Sequence, residues 1–462
     1  MNRSFCEECF KKQQRIDRLS EENKRLRGKL RYRERTQEEG FFGSSTPSSK
    51  LPVKPNAAEP KQNKKRGAKP GHKGAGRKRF DESEADEVVQ IQAPVGEQCP
   101  DCGVALRNKG SKSRMVLESR PVKVRRTLYL LHQKKCPRCH RTFTGAAPSV
   151  LPKSLYGNQA LASAAAMHYL HGIPMGRICE QMGIEPGCLV QMFHRLAHLF
   201  ADVPEKLIEQ YRTSAVKHAD ETGWRTNGKN RYVWLFATDK ISLFQLRNTR
   251  SAKVPRAVFG QKPLPGVLLV DRYAAYNKSP CKIQYCYSHL SRDVEDIEKE
   301  FPDSAEVKTF VSTMVPMLSL AMNLRSQPIS DKQFHRKAAR LKKQILAAIA
   351  APAQHGAIRN IQRIFQHNEA RLYRWADDRR IPAENNLAER DLRPTVIARK
   401  VSFGSQSDAG AKTRGTLMSV MHTLRKHRFD PAAQLKYVLD QLAHNIAQDP
   451  YSLLFPRDAP RH

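Results

Sequence analysis

With 81 Lys and Arg against 45 Asp and Glu, the 462-residue chain carries a formal net charge of +36. Such an excess points to a polyanionic partner, nucleic acid before an anionic membrane surface. Hydrophobic residues make up 39%, enough for cores in about two to four domains. No stretch approaches the roughly 20 apolar residues of a spanning helix, and no apolar signal segment follows Met1. The expectation is a soluble, cytoplasmic, nucleoid-associated protein with DNA as partner and no membrane contact.

In chain order, residues 1–42 read as a coiled-coil or leucine-zipper-like helix. Ile16, Leu19, Asn23, Leu26 and Leu30 alternate spacings of three and four, an a/d seam with one polar position, which predicts a homodimer or higher oligomer. Cys6 and Cys9 have no second pair nearby. Residues 43–90 read as a linker. "GSSTPSSKLPVKPN" is rich in Ser and Pro, and "KQNKKRGAKPGHKGAGRKR" holds nine Lys and Arg and no acid. A segment of this composition cannot bury a core and is expected to be disordered when free. Lys64, Lys65, Arg66, Lys69, Lys73, Arg77, Lys78 and Arg79 are its candidate phosphate contacts.

Residues 91–150 read as a zinc-ribbon-like module. "CPDC" supplies Cys99 and Cys102, "CPRC" supplies Cys136 and Cys139, and 33 residues separate the two knuckles. Two tight knuckles offer four thiolates to one ion, which is a closed structural Zn²⁺ site rather than a catalytic one. "VKVRRTLYLLHQKK" between them is predicted to be strand. Cys179, Cys188, Cys281 and Cys286 are scattered and expected to be buried free thiols.

Residues 151–212 are predicted to be helical. "PMGRICEQMG", "IEPG" and "CLVQMFHRLAHLF" give helix, tight turn, helix, compatible with either a DNA-binding helix-turn-helix or plain scaffold. His194 and His198, one turn apart, lack an accompanying HExxH pattern and are expected to be structural. Residues 213–302 change pattern to β-β-β-α-β-α-β, a mixed sheet with helices as in the ribonuclease H-like α/β fold. Residues 303–381 look like a basic helical insertion. Residues 382–425 return to the catalytic domain, and 426–462 form a helical tail with a break at Asp430-Pro431.

The short acids stand out against this basic background. Asp220 is expected at the end of the first strand and Asp271 at the end of the fourth, and that strand order makes them neighbours. Glu221 competes with Asp220 for the same role. A third acid has to come from a helix; Glu389 in "NNLAER" is the best placed, with Glu384 and Asp391 as competitors. Three converging carboxylates repel one another unless cations lie between them. Hard oxygen ligands suit Mg²⁺ or Mn²⁺, and a pair of such ions serves phosphoryl transfer. Arg390 and Arg393 flank Glu389 and could hold phosphate or tether it. Trp375 could stack on an extruded base, although packing is the more ordinary role, and Trp224 is expected to pack beside Asp220.

At this point the chain resembles the insertion sequence 66 family of transposases, a branch of the DDE transposases, over nearly its whole length. "SSTPSSK", "KPGHKG" and the two cysteine knuckles resemble that family's linker, basic signature and zinc-binding domain. "HADETGWR", "VDRYAAYN" and "ENNLAERDLRP" resemble the motifs of its catalytic residues, here Asp220, Asp271 and Glu389. Glu384 stands where the family usually has Asp. The resemblance implies metal-dependent end cleavage and strand transfer of a mobile element, with Mg²⁺ (or Mn²⁺) and Zn²⁺ and with accessory proteins of the element. A non-enzymatic zinc-containing DNA-binding protein and a ribonuclease H-like nuclease without joining activity are the competing readings.

Overall fold

The computed structural model describes residues 123–456 except 136, 141 and 146, and upstream of these only 15, 19, 22, 23, 83, 88, 97, 98 and 103–105. The basic positions from Lys64 to Arg79, and Cys99, Cys102 and Cys136, therefore lie outside the described residues, as does most of the predicted coiled coil. Within the latter, Arg15, Leu19, Glu22 and Asn23 are helical. The chain divides into two compact units, Pro52–Lys123 and the remainder. In the smaller unit the described residues include one antiparallel bridge, from Gln98 to Ala105.

The first sheet element described in the larger unit is a short hairpin of β1 (Gln133–Lys135) and β2 (Thr142–Thr144). Only the tail of the predicted 122–135 strand is thus in a sheet. Residues 123–132 are paired with no strand among the described residues, their backbone bonds being single ones from Val124 N–H to the Met182 carbonyl and from Gly145 N–H to the His132 carbonyl. Helices α1 (Asn158–Ala165), α2 (Met175–Met182), α3 (Pro186–Leu199) and α4 (Val203–Thr213) follow. The predicted sequence of helix, tight turn and helix is present as α2 and α3. Gly183, at φ 69°, closes α2 in the left-handed conformation, and Pro186 opens α3. On α3, His194 bonds to Thr413 Oγ1 at 2.7 Å, and Arg195 donates to the carbonyls of Pro152 and Lys153, so both serve the scaffold.

The central sheet has the order β5-β4-β3-β6-β7, built from β3 (Val216–Thr226), β4 (Lys229–Ala237), β5 (Ser242–Arg247), β6 (Val267–Val270) and β7 (Lys282–Tyr285). The first three form an antiparallel meander, and β6 and β7 run parallel to β3. The hairpin joining β3 to β4 turns on Asn227 and Gly228, with φ 49° and 69°, the pair of positive angles that matches the twist of a two-residue hairpin. Helix α5 (Lys253–Phe259) crosses from β5 to β6. The helix expected between β6 and β7 is only a 3-10 turn, Ala274–Tyr276. The eleven residues from Asp271 to Cys281 leave little room for more.

One face of the sheet packs Trp234 and Phe236 of β4 against Tyr211 of α4, Phe259 of α5 and Tyr276. After β7 the chain enters α6 (Tyr287–Glu300), then the helical stretch α7 (Ala305–Leu324), α8 (Asp331–Ala350), α9 (Gly356–His367) and α10 (Arg374–Asp377). By length and composition α7 is apolar enough to cross a bilayer, which the sequence reading had not expected of any segment. It packs on α6 and α8 through Val307, Val311, Met314 and Leu318, and exposes Lys308, Thr309, Ser312 and Asn323 on the other side. Trp375 is buried against Tyr287 and cannot meet a base in this arrangement. The chain returns to the sheet with α11 (Asn386–Ser402) and ends in α12 (Asp408–Lys426), α13 (Pro431–His444, capped by Asp430) and α14 (Pro450–Leu454).

Helix α12 is buried without interruption from Thr413 to Leu424, because it lies along the edge of β5 and under α3. Edge strands leave N–H groups unpaired. Here Ser419 Oγ accepts from Phe244 N–H at 2.8 Å and Thr423 Oγ1 from Ser242 N–H at 3.2 Å. Gly415 permits the approach: a Cβ there would sit 3.1 Å from the Phe244 carbonyl oxygen. Ser419→Ala should lower folding stability by about 1–3 kcal/mol, because it strands a buried N–H. Urea denaturation measures this, and an unchanged midpoint would show that the seam does not depend on the hydroxyl.

Candidate active site

Side chains alternate across a strand, and β3 uses the two faces differently. Lys217 and Glu221 point to one side, with Lys217 Nζ donating to the carbonyls of Ser214 and Pro265. His218, Asp220 and Thr222 point to the other, toward α11, where Asn385 and Arg399 reach them or their backbone. Asp220 lies inside the strand rather than at its end, because β3 continues to Thr226.

This division separates the two adjacent acids. Glu221 Oε1 accepts from Arg250 Nε at 3.0 Å and Nη2 at 2.6 Å, and Oε2 accepts from Tyr276 Oη at 2.6 Å. Its carboxylate is fully committed to the core. Asp220 uses Oδ1 only to accept from the Glu221 N–H at 2.8 Å, and its buried Oδ2 has no hydrogen-bond partner.

Asp271 follows β6 directly. His218 is level with Leu269 in the parallel pair, so two residues further on Asp271 comes level with Asp220. Asp271 Oδ1 accepts from the Tyr273 N–H at 2.9 Å, closing a turn at the strand end. Burial raises the Asp220 pKa well above the usual carboxylate range, and the charges of Glu221, Asp271 and Glu389 raise it further. Asp271 is raised by burial too, opposed by its hydrogen bond from Tyr273 and by Arg250 and Arg272.

Glu389 reaches this pair through Asn385. The buried Asn385 side chain donates to the Ala219 carbonyl at 2.9 Å and accepts from His218 Nδ1 at 2.8 Å, while its own N–H donates to Cys286 Sγ at 3.1 Å. Burial holds His218 down to about 4, so the ring is neutral and donates from Nδ1. Asn385 thus fixes the start of α11 beside β3, and Glu389 occupies the first turn of that helix, where a carboxylate is favoured by the exposed N–H dipoles. Further along, Arg399 Nη1 donates to the Gly223 carbonyl at 2.7 Å and holds the helix against the same strand.

The competitors of Glu389 are distinguished by their partners. Asp391 is buried, accepts from Ser242 Oγ at 2.8 Å and pairs with Lys426 at 2.5 Å, which makes it part of the α11–α12–β5 junction. Glu384 has one buried unpartnered oxygen, and burial raises its pKa. Glu389 Oε1 is buried without a hydrogen-bond donor, its nearest cation being Arg292 of α6 at 3.9 Å. Arg393, expected as a tether one turn away, is half-buried and forms no ion pair with Glu389; Arg390 is exposed. Arg292 was not foreseen, since only the fold places α6 beside α11.

Asp220 Oδ2 and Glu389 Oε1 lack donors in a buried, acidic setting, and that is the condition a hard divalent cation relieves. Asp271 and Glu389 lie near enough for their charges to act on Asp220, which makes these three acids the candidates for holding such ions. Of the four cysteines expected to hold zinc, Cys139 is described and is exposed in a turn.

Residues 153–413 match the family model described as "Transposase IS66 family", and residues 97–140 match the "zinc-finger binding domain of transposase IS66". The uncharacterized protein y4jD of Sinorhizobium fredii (strain NBRC 101917 / NGR234) is 22% identical over 397 residues, covering 76% of this chain and 76% of that protein. The uncharacterized protein y4qI of the same strain is 22% identical over 356 residues, covering 67% of this chain and 64% of that protein.

The partner pattern predicts opposite stability effects for neighbouring acids. Asp391→Ala should cost about 3–5 kcal/mol, because it leaves Lys426 buried without its partner. Glu389→Gln and Asp220→Asn should leave stability unchanged or raise it in a chelating buffer at neutral pH, since each removes a buried charge lacking a donor. Denaturation curves of the three variants check this; a Glu389→Gln protein as damaged as Asp391→Ala would reverse the roles.

Proposed function

Given that the chain belongs to the IS66 transposase family, we propose that it cleaves the ends of an insertion sequence and joins them to target DNA, using Asp220, Asp271 and Glu389. The observation that carries this reading is the pair of buried, donor-free oxygens, Asp220 Oδ2 and Glu389 Oε1, in the carboxylate cluster formed where β3, β6 and α11 meet. The strand order, three antiparallel strands followed by two parallel ones, supports a ribonuclease H-like fold for the catalytic domain.

Two divalent ions of the Mg²⁺ or Mn²⁺ type, when bound, activate the attacking oxygen and steady the leaving one. The residues of the chain do the rest. Asp220 presents its oxygens from β3 and Asp271 from the first residue after the adjacent parallel strand β6, so the sheet brings the two level with each other. Glu389 approaches from a helix whose start Asn385 fixes to β3. Glu221, Arg250 and Tyr276 brace the strand from the opposite face. Water attacks the scissile phosphodiester in line, leaving a 5′-phosphate and a free 3′-hydroxyl, and that hydroxyl then attacks a phosphodiester of the target and displaces the target strand's own 3′-oxygen.

DNA is held by basic groups around this acidic pocket. Arg390 and Arg393 on α11 and Lys64, Lys65, Arg66, Lys69, Lys73, Arg77, Lys78 and Arg79 in the linker contact phosphates. Cys99, Cys102, Cys136 and Cys139, within the stretch matched by the zinc-finger model, hold structural Zn²⁺. The N-terminal helix joins protomers, and other proteins of the element assist.

Asp271→Asn is expected to reduce Mg²⁺-dependent cleavage of element-end DNA by about 10³-fold or more, roughly 4 kcal/mol of barrier, while DNA binding persists. Undiminished cleavage by this variant would defeat the assignment. Cleavage without any joined product would favour a nuclease. Arg390→Ala combined with Arg393→Ala should lower the slope of log affinity against log salt by about 2; an unchanged slope would remove these two residues from the phosphate contacts.

A further inference from the structure

Glu389 has a second set of neighbours. Cys286 precedes α6, and His289 lies three residues on, in the first turn of that helix, so the two side chains share a face. Together with Glu389 they place one sulfur, one imidazole nitrogen and one carboxylate oxygen within 4.8 Å of one another. Cys286 is 1% exposed and Glu389 7%. His289 Nδ1 and Glu389 Oε1 are both buried without a hydrogen-bond partner. Three ligand-type groups therefore converge while two of them lack the partner that buried polar atoms ordinarily have.

We infer that Cys286, His289 and Glu389 form a cation site for a thiophilic divalent ion of the zinc class, distinct from the oxygen site of Asp220 and Asp271. A thiolate and an imidazole suit zinc and its borderline neighbours and are poor ligands for Mg²⁺. Bonds of about 2.0–2.3 Å around a tetrahedral ion separate ligand atoms by roughly 3.3–3.8 Å, so closing the site takes a shift of about 1 Å. Three protein ligands leave a fourth position open. Binding replaces the Cys286 thiol proton, which passes to solvent. Asn385 supports the arrangement from outside it, since its N–H already points at Cys286 Sγ.

One consequence rests on the proposed function. Glu389 Oε1 is the donor-free oxygen available to either site, so an ion held by Cys286 and His289 competes for it with the ions of Asp220 and Asp271. The cysteine site would then act as an inhibitory switch on a Mg²⁺-dependent reaction.

Binding is tested separately from activity. Co²⁺ is added to the full-length protein after a mild chelator has emptied the open three-ligand site and left zinc in the closed four-cysteine module, which holds it more tightly. The wild type should take up one further equivalent and develop a thiolate-to-cobalt charge-transfer band. Cys286→Ser should lose the band, and His289→Gln should weaken binding at least about tenfold. Asp271→Asn should keep the band. No further equivalent in the wild type, or an undiminished band in both Cys286→Ser and His289→Gln, overturns the site. If Asp271→Asn cleaves DNA normally while the band persists, the proposed function fails and the cysteine site stands. If the band is missing while cleavage depends on Asp271, the reverse holds.

Discussion

One buried amide organises the acidic end of this molecule. The Asn385 side chain bonds to the Ala219 carbonyl and to His218, and its backbone N–H to Cys286 Sγ, which ties together β3, the residue after β7 and the first turn of α11. These segments are separated by up to 167 residues of chain. Without a fixed start, α11 could slide along β3, and Glu389 would move with it. The amide suits the position because it donates and accepts at once, which neither a carboxylate nor an ammonium can do. Inside a low-dielectric environment each of these bonds is strengthened, and each would be costly to leave unmade.

The second constraint is electrostatic. A chain of net charge +36 gathers Asp220, Glu221, Asp271, Glu384 and Glu389 in one neighbourhood. Most of this acidity is not neutralised by direct pairing. Glu221 has Arg250 and Tyr276, whereas Asp220 and Glu389 each keep an oxygen without a donor. Arg272 pairs with Asp293, and Arg292 stands 3.9 Å from Glu389. The fold thus bears an energetic cost at one location and offsets it through packing elsewhere, the usual signature of a site kept for chemistry rather than for stability.

Much of this was legible in the amino-acid order, and what was not has physical reasons. Local signals placed the β3–β5 meander, α5, the α2–α3 turn and the break at Asp430-Pro431, because periodicity and turn chemistry are local properties. They also picked out Asp220, Asp271 and Glu389. Choosing between Glu389 and Asp391 from their surroundings needed tertiary partners: Lys426 and Ser242, far away in sequence, take Asp391 into the core. Glu221 was separated from Asp220 in the same way, by Arg250 and Tyr276. Alternation misled at 123–132, where no neighbouring strand appears among the described residues, and the loop after Asp271 proved too short for the helix assigned to it. Arg292 was invisible because nothing in the chain announces that α6 will lie against α11. Ser419 and Thr423 looked like ordinary polar helix positions until the rim of β5 was found against them.

That seam has a bearing on how copies of the protein can come together. Many proteins assemble by laying an extended segment of one molecule against the free border of another's sheet. At β5 this route is closed, since hydroxyls of α12 already occupy the outward amides of Ser242 and Phe244 and a buried helix fills the space where a visiting strand would lie. Any higher-order complex must therefore leave this border alone and recruit other surfaces, and molecules crowded along one stretch of DNA cannot be stitched together there by strand exchange.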